Sequence, residues 1–243
     1  MSGVAQLRKV SGQSLQSHAV DELGGRIARG AVPVGAVLNP EDLAREFGVS
    51  RTIIREAFRT LEALGMIDAR PRVGTVIRPA SSWNLLDHRV IHWRNDGPQA
   101  SEQLRELMVL REAIEPTGAG LAAVRATDDE LESLDGLFAE MSQAMAANDV
   151  AAFARSDAAF HALIVHTSRN AVLQQLLTTL EATLHSRYSN RLPTFSGVSA
   201  VALARHGELV AALRARESDA AAEVMRTLIR ESQEELFRIE GRP

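Results

Sequence analysis

The chain has 243 residues, 45% apolar and 24% charged, an ordinary globular balance that excludes the low-hydrophobicity, high-charge compositions which stay disordered. Cysteine is absent, which excludes disulfides, thiolate nucleophiles, iron–sulfur clusters and cysteine-bound zinc, and aromatics are only 4%, which favours helix over sheet. The formal net charge of −4 divides unevenly: residues 1–79 carry 11 Arg/Lys against 8 Asp/Glu and residues 80–243 carry 16 against 23, a basic head on an acidic body. No apolar run approaches the roughly 18 residues that cross a bilayer, and Met1–Val10 lacks the apolar core of a signal peptide, so a cytoplasmic protein with no membrane partner is expected.

In chain order, Leu15, Ala19, Leu23 and Ile27 form one helical stripe that ends at Gly30. Residues 31–38 are punctuated by Pro and Gly and too short for a helix. Pro40 starts a second helix that Gly48 stops, and Ser50 caps a third that runs to about Leu64. In that third helix Ile54, Ala57, Phe58 and Leu61 form the core stripe, while Arg51, Arg55 and Arg59 recur every four residues on another face. Met66–Ala69 and Thr75–Ile77 flank a turn-like Arg70–Gly74, which predicts a hairpin with basic residues at its tip. Pro79–Ser82 breaks the pattern and marks a boundary. Helices are then predicted over Trp83–Asn95, 101–124, 128–147, 149–167, 170–190, 199–216 and 218–239, with short connections that suit an antiparallel bundle. The predicted organisation is mostly α: a helix-turn-helix with a hairpin over 1–79, a linker helix over 80–100, and an all-α antiparallel bundle over 101–243.

Two constellations carry chemistry. An arginine row after a tight turn, beside a basic hairpin, suits a helix lying in the major groove, where guanidinium forks take guanine edges or phosphates. The alternative is a solvated helix whose arginines pair with Glu56 and Glu62. In the bundle, Asp157 and His161 stand one helical turn apart and can chelate one ion, with His206 offered from a later helix; the same spacing also makes a simple hydrogen-bonded pair. Asn170 reads as a helix cap, and His166 and His185 as ordinary helix residues.

The run Leu43-Ala-Arg-Glu-Phe-Gly-Val-Ser-Arg-Thr-Ile-Ile-Arg-Glu-Ala-Phe-Arg-Thr-Leu-Glu-Ala-Leu-Gly65 resembles the winged helix-turn-helix signature of the GntR family of bacterial transcription regulators. The resemblance implies that Ser50, Arg51, Thr52 and Arg55 contact operator DNA, with Arg59 on the same row, and that Arg70, Arg72 and Gly74 belong to a wing at the minor groove. It differs in one place: Glu41 occupies a slot where many members carry arginine. Residues 101–231 are similar to the helical effector domain of the FadR-type branch, on Asp-x-x-Phe-His at 157–161, His206, and Met225-Arg-Thr-Leu228. The resemblance implies that Asp157, His161 and His206 ligate a divalent metal such as zinc, that Leu228 stands where a further histidine is usual, and that Arg111 is a pocket arginine for an effector carboxylate. Trp83–Trp93 resembles the connecting helix of the galactonate-operon repressor subgroup. The function so implied is a homodimeric repressor, not an enzyme, whose operator binding is controlled by a small organic acid, for instance a hexonate held by Arg111, Asp157, His161 and His206. The rivals are a metal-dependent hydrolase using Asp157, His161 and His206, for which no HExxH-like general base is present, and a nonspecific architectural DNA binder.

Overall fold

A computed structural model describes residues 14–176 and 200–239. They divide into two compact units, one up to Ser101 and one from Glu102.

In the head, α1 (Leu15–Ala28) is capped by the Ser14 side chain, α2 (Pro40–Phe47) by Asn39 with Pro40 at its first turn, and α3 (Arg51–Ala63) by Ser50. Gly48 ends α2 at φ 67°, in the left-handed region that glycine enters without a Cβ penalty, and so makes the tight turn into α3. Hairpin strands β2 (Ile67–Arg70) and β3 (Gly74–Ile77) pair antiparallel, with Ile67 opposite Ile77 and Arg70 opposite Gly74. A third strand, β1 (Val37–Leu38), lies on the other side of β3, giving the order β1-β3-β2. The sequence pattern does not predict β1, because two residues beside Pro33 and Gly35 carry no alternation; its pairing with β3 is what makes it a strand.

Residues 83–87 correct the predicted helix start at Trp83. This stretch lies as a strap on the head, with Trp83 Nε1 donating to the Arg78 carbonyl at 3.0 Å and the Asn84 amide donating to the Leu64 carbonyl at 2.9 Å. Helix α4 (His88–Asn95) begins only where the Asp87 side chain caps it. Its Val90 and Trp93 join the head core with Leu23, Ile27, Phe47, Ile54 and Leu61. Arg89 adds a 3.1 Å bond to the Ser17 hydroxyl of α1.

Among the described residues the body contains α5 (Ala100–Arg125), α6 (Asp128–Ala146), α7 (Val150–Thr167), the short α8 (Ala171–Gln175), α9 (Ala200–Arg214) and α10 (Ser218–Ile239). Of the helix predicted over 170–190 only the part up to residue 176 falls within the described residues; His185 lies outside them. A capping box between Thr127 and Glu130 starts α6, and Asp149 caps α7. Turns of two or three residues join α5 to α6, α6 to α7 and α9 to α10, as in an antiparallel all-α bundle. Its core joins Met108 and Ala119 of α5, Leu134 and Met141 of α6, Phe153, Phe160 and Ile164 of α7, Leu209 and Leu213 of α9, and Met225 and Leu228 of α10. The predicted fold class therefore holds.

Glycine substitutions separate helix propensity from packing. A Cβ on Gly24 would stand 2.5 Å from the Trp93 ring, whereas one on Gly136 meets nothing within 4 Å. Gly136→Ala in α6 should stabilise the body by about 0.5–1 kcal/mol. Gly24→Ala should destabilise the head by about 1–3 kcal/mol despite the same propensity gain, because the indole must move. Urea denaturation of the two variants checks both signs.

Candidate functional site

Ser50, Arg51, Thr52, Arg55 and Arg59 are all exposed on α3, and Arg70, Arg72 and Gly74 are exposed on the hairpin. Their electrostatic states differ. Arg51 Nη1 lies 2.6 Å from Glu41 Oε1, Arg59 Nη1 lies 2.7 Å from Glu56, and Arg70 Nε lies 3.2 Å from Asp68. Arg55 and Arg72 have no partner among the described residues. Pro71 and Arg72 form the hairpin turn closed by the Val73 amide on the Arg70 carbonyl, and Arg72 adopts φ 63° there. That conformation favours glycine, and Asn148, Arg169 and Arg216 adopt it too, at the ends of body helices. In the hairpin, Gly74 follows Arg72 and Val73 at φ 107°.

The second constellation is buried. On α7 the core-facing stripe is Phe153, Ser156, Asp157, Phe160, His161 and Ile164, so an acid and an imidazole sit one turn apart where apolar residues would otherwise pack. On α9 His206 opens the buried stripe that continues with Leu209, Val210 and Leu213. Asp157, His161 and His206 are each 2% exposed. His206 Nε2 lies 3.0 Å and His161 Nε2 3.7 Å from Asp157 Oδ1. The two imidazoles meet edge to face at 5.6 Å between ring centres.

The outer nitrogens fix the tautomers. His206 Nδ1 lies 2.7 Å from the Ala202 carbonyl and His161 Nδ1 lies 2.6 Å from Glu115 Oε2, and both oxygens can only accept. In its neutral form each ring therefore carries its proton on Nδ1 and turns the Nε2 lone pair toward the Asp157 carboxylate. Despite its 3.0 Å approach, His206 Nε2 makes no hydrogen bond and is a buried polar atom without a hydrogen-bond partner. A cation held between that nitrogen and the carboxylate would satisfy both.

The outer partner Glu115 comes from α5. Its carboxylate also takes the Arg111 guanidinium, with Nε at 2.5 Å from Oε1 and Nη2 at 3.4 Å from Oε2. Complete burial pushes the Glu115 carboxyl up, but the charges of Arg111 and His161 and the hydrogen bonds they donate outweigh it and hold the group ionised at about 2. Arg111 is thus neutralised within the protein.

The donor set fits a divalent metal such as zinc. The ligand atoms of Asp157, His161 and His206 all lie within 4.8 Å of one another, and tetrahedral zinc at ordinary bond lengths places its ligands about 3.4 Å apart. Each histidine has its other nitrogen anchored, by Glu115 or by the Ala202 carbonyl, which holds the ring in orientation. Leu228 is buried in the bundle core, so that position contributes packing and no ligand. A separate cleft of about 510 Å³ between α6 and α7, lined by Leu137, Glu140 and Arg155 among others, includes none of the trio.

The structure brings the three predicted ligands together and connects Arg111 to them through Glu115. Glu115 is the functional residue that sequence reasoning missed as a ring-orienting group. Its four-residue spacing from Arg111 was the available signal, and that signal reads equally as an ordinary helix pair.

Fold and site together define a DNA-binding regulator: a winged helix-turn-helix head with a helical body built to sense a ligand. Residues 15–77 match the model of bacterial regulatory proteins of the gntR family and residues 106–231 match the FCD domain, and the chain belongs to the GntR family, FadR-type branch. It is 32% identical over 219 residues to the uncharacterized HTH-type transcriptional regulator YieP of Escherichia coli, covering 90% of this chain and 94% of that one. It is 31% identical to the galactonate operon transcriptional repressor of the same organism, covering 89% and 94%. Among solved structures, Streptococcus agalactiae GntR aligns with a TM-score of 0.53 at 27% identity, covering 90% of this chain and 99% of that one. These families and relatives are transcription regulators, not enzymes, which sets the hydrolase aside. No helix among the described residues is long and apolar enough to cross a membrane.

Removing one partner of the buried pair tests the cluster. Glu115→Gln leaves the Arg111 guanidinium without its counter-charge and should destabilise the body by about 3–5 kcal/mol in urea denaturation. Because the Glu115 carboxyl is depressed from 4.5 to about 2 in the folded state, its contribution is complete above pH 4.5 and is lost as pH falls toward 2. The wild-type chain should therefore lose stability across that window more steeply than Glu115→Gln.

Proposed function

We propose that the chain is a homodimeric repressor whose operator binding is relieved by a small sugar acid, such as a hexonate, held in the body at a divalent metal bound by Asp157, His161 and His206. The observation that carries this reading is the convergence of two bare Nε2 atoms on one buried carboxylate, with His206 Nε2 left without a hydrogen bond. The similarity to the galactonate operon repressor supports a sugar acid as the effector class. When bound, the metal supplies a Lewis-acid seat for a carboxylate or hydroxyl oxygen, since three protein ligands leave a fourth position open. Glu115 and the Ala202 carbonyl keep the rings turned, and Arg111 holds Glu115 ionised rather than gripping the acid directly. In the head, the exposed row Arg51, Arg55 and Arg59 reads base edges, Ser50 and Thr52 meet phosphate at the helix start, and Arg70, Arg72 and Gly74 form the wing contact. Two-fold symmetry places one α3 in each half of a near-palindromic operator. Relief of repression requires the acid to bind the operator-competent and operator-incompetent states with unequal affinity.

Thermal melting of the full chain with a panel of hexonic and other hydroxy acids, with added zinc or with chelator, tests the pocket. One acid should raise Tm by several degrees, as mass action gives about 2.7 kcal/mol at a hundredfold excess over Kd. Chelation or His161→Ala should abolish the shift while DNA binding persists, and Leu228→His, which adds a ligand, should tighten metal binding. A chelated, metal-free protein that still shows the full shift would contradict the reading.

A further inference from the structure

We infer that Glu41 is a specificity-determining residue of the DNA-reading face: it positions Arg51 and withholds it from phosphate, lowering affinity for DNA in general more than affinity for the preferred sequence. This rests on the proposal that the exposed arginine row of α3 reads DNA.

Glu41 and Arg51 belong to different helices, yet both are held by the backbone. The Asn39 side chain accepts the Glu41 amide at 2.8 Å, which fixes the first turn of α2, and the Ser50 hydroxyl accepts the Ile53 amide at 3.3 Å, which fixes the first turn of α3. The left-handed Gly48 sets the turn between them. The 2.6 Å contact from Glu41 Oε1 to Arg51 Nη1 therefore joins two anchored ends, although both side chains are more than half exposed. Among the described residues, Glu41 is the only acid that reaches the arginine row of α3 from another element. Arg59 is paired within its own helix, and Arg55 has no partner.

An acid in this place has two effects on DNA binding. It offsets the charge of Arg51, and so subtracts from the phosphate attraction that every sequence offers equally. It also occupies one donor of a guanidinium that has five, holding the fork in one orientation with donors left for a guanine edge. The first effect weakens binding to all DNA, while the second returns affinity only where the matching base is present. Discrimination rises at the expense of general affinity.

The full chain can select its own duplex from a random-sequence library, and anisotropy titrations then compare that duplex with a scrambled one across a salt series. Glu41→Gln keeps the side-chain shape and removes the charge. It should tighten binding to the scrambled duplex about tenfold and steepen its salt dependence by about one phosphate contact, a slope change near 0.9. Binding to the selected duplex should change less, so that the ratio between the two falls about threefold to tenfold. In an Arg51→Ala background Glu41→Gln should leave the ratio unchanged, because Glu41 acts through Arg51. A ratio that stays constant or rises in Glu41→Gln, in a protein whose Arg55→Ala variant does lose selected-duplex binding, overturns the role of Glu41 alone. Selected-duplex binding that survives Arg55→Ala intact overturns the reading face, and this inference with it.

Discussion

The body depends on the carboxylate of Glu115. A buried carboxylate loses hydration that only close, well-directed partners replace, and Glu115 has two, the Arg111 guanidinium from its own helix and the His161 ring from α7. Because Glu115 accepts from His161 Nδ1, the proton of that ring is committed outward and its Nε2 is left bare. The Ala202 carbonyl does the same for His206. Two short hydrogen bonds therefore orient the centre: they turn both Nε2 atoms of a polar patch in a hydrophobic bundle toward one point. Polar residues on the core stripes of α5, α7 and α9 would otherwise weaken the packing of Phe160, Leu209 and Met225 around them.

The head uses charge in the opposite way. The arginines of the α3 row are exposed, in high-dielectric surroundings where single ion pairs contribute little to stability. The fold there comes from apolar packing, in which Trp93 lies so close to α1 that Gly24 has no room for a side chain. The strap over 83–87 and helix α4 belong to that packing, and the compact head extends to Ser101.

Much of this was legible in the sequence because it rests on local rules. Ser50, Gly48 and the Ile54–Ala57–Phe58–Leu61 stripe specify the turn and α3 from propensity and periodicity alone, and the four-residue spacing of Asp157 and His161 places both on one face of α7. What sequence could not supply came from tertiary contacts. β1 exists only through its pairing with β3, and the start of α4 at His88 follows from the hold that Arg78 and Leu64 have on Trp83 and Asn84. In the sequence Glu112 and Glu115 both lie within one turn of Arg111, which leaves its partner open. Burial resolves it: Glu115 faces the core with Arg111, while Glu112 pairs with Arg230.

The account stands on the two bare Nε2 atoms facing Asp157, and ring-nitrogen NMR observes them directly. Long-range proton–nitrogen correlation spectra of chelator-treated protein should show the ring proton of His161 and of His206 on Nδ1 and none on Nε2. One equivalent of zinc per chain should then shift both Nε2 resonances and leave both Nδ1 protons in place. Rings protonated at Nε2, or resonances indifferent to zinc, would contradict it.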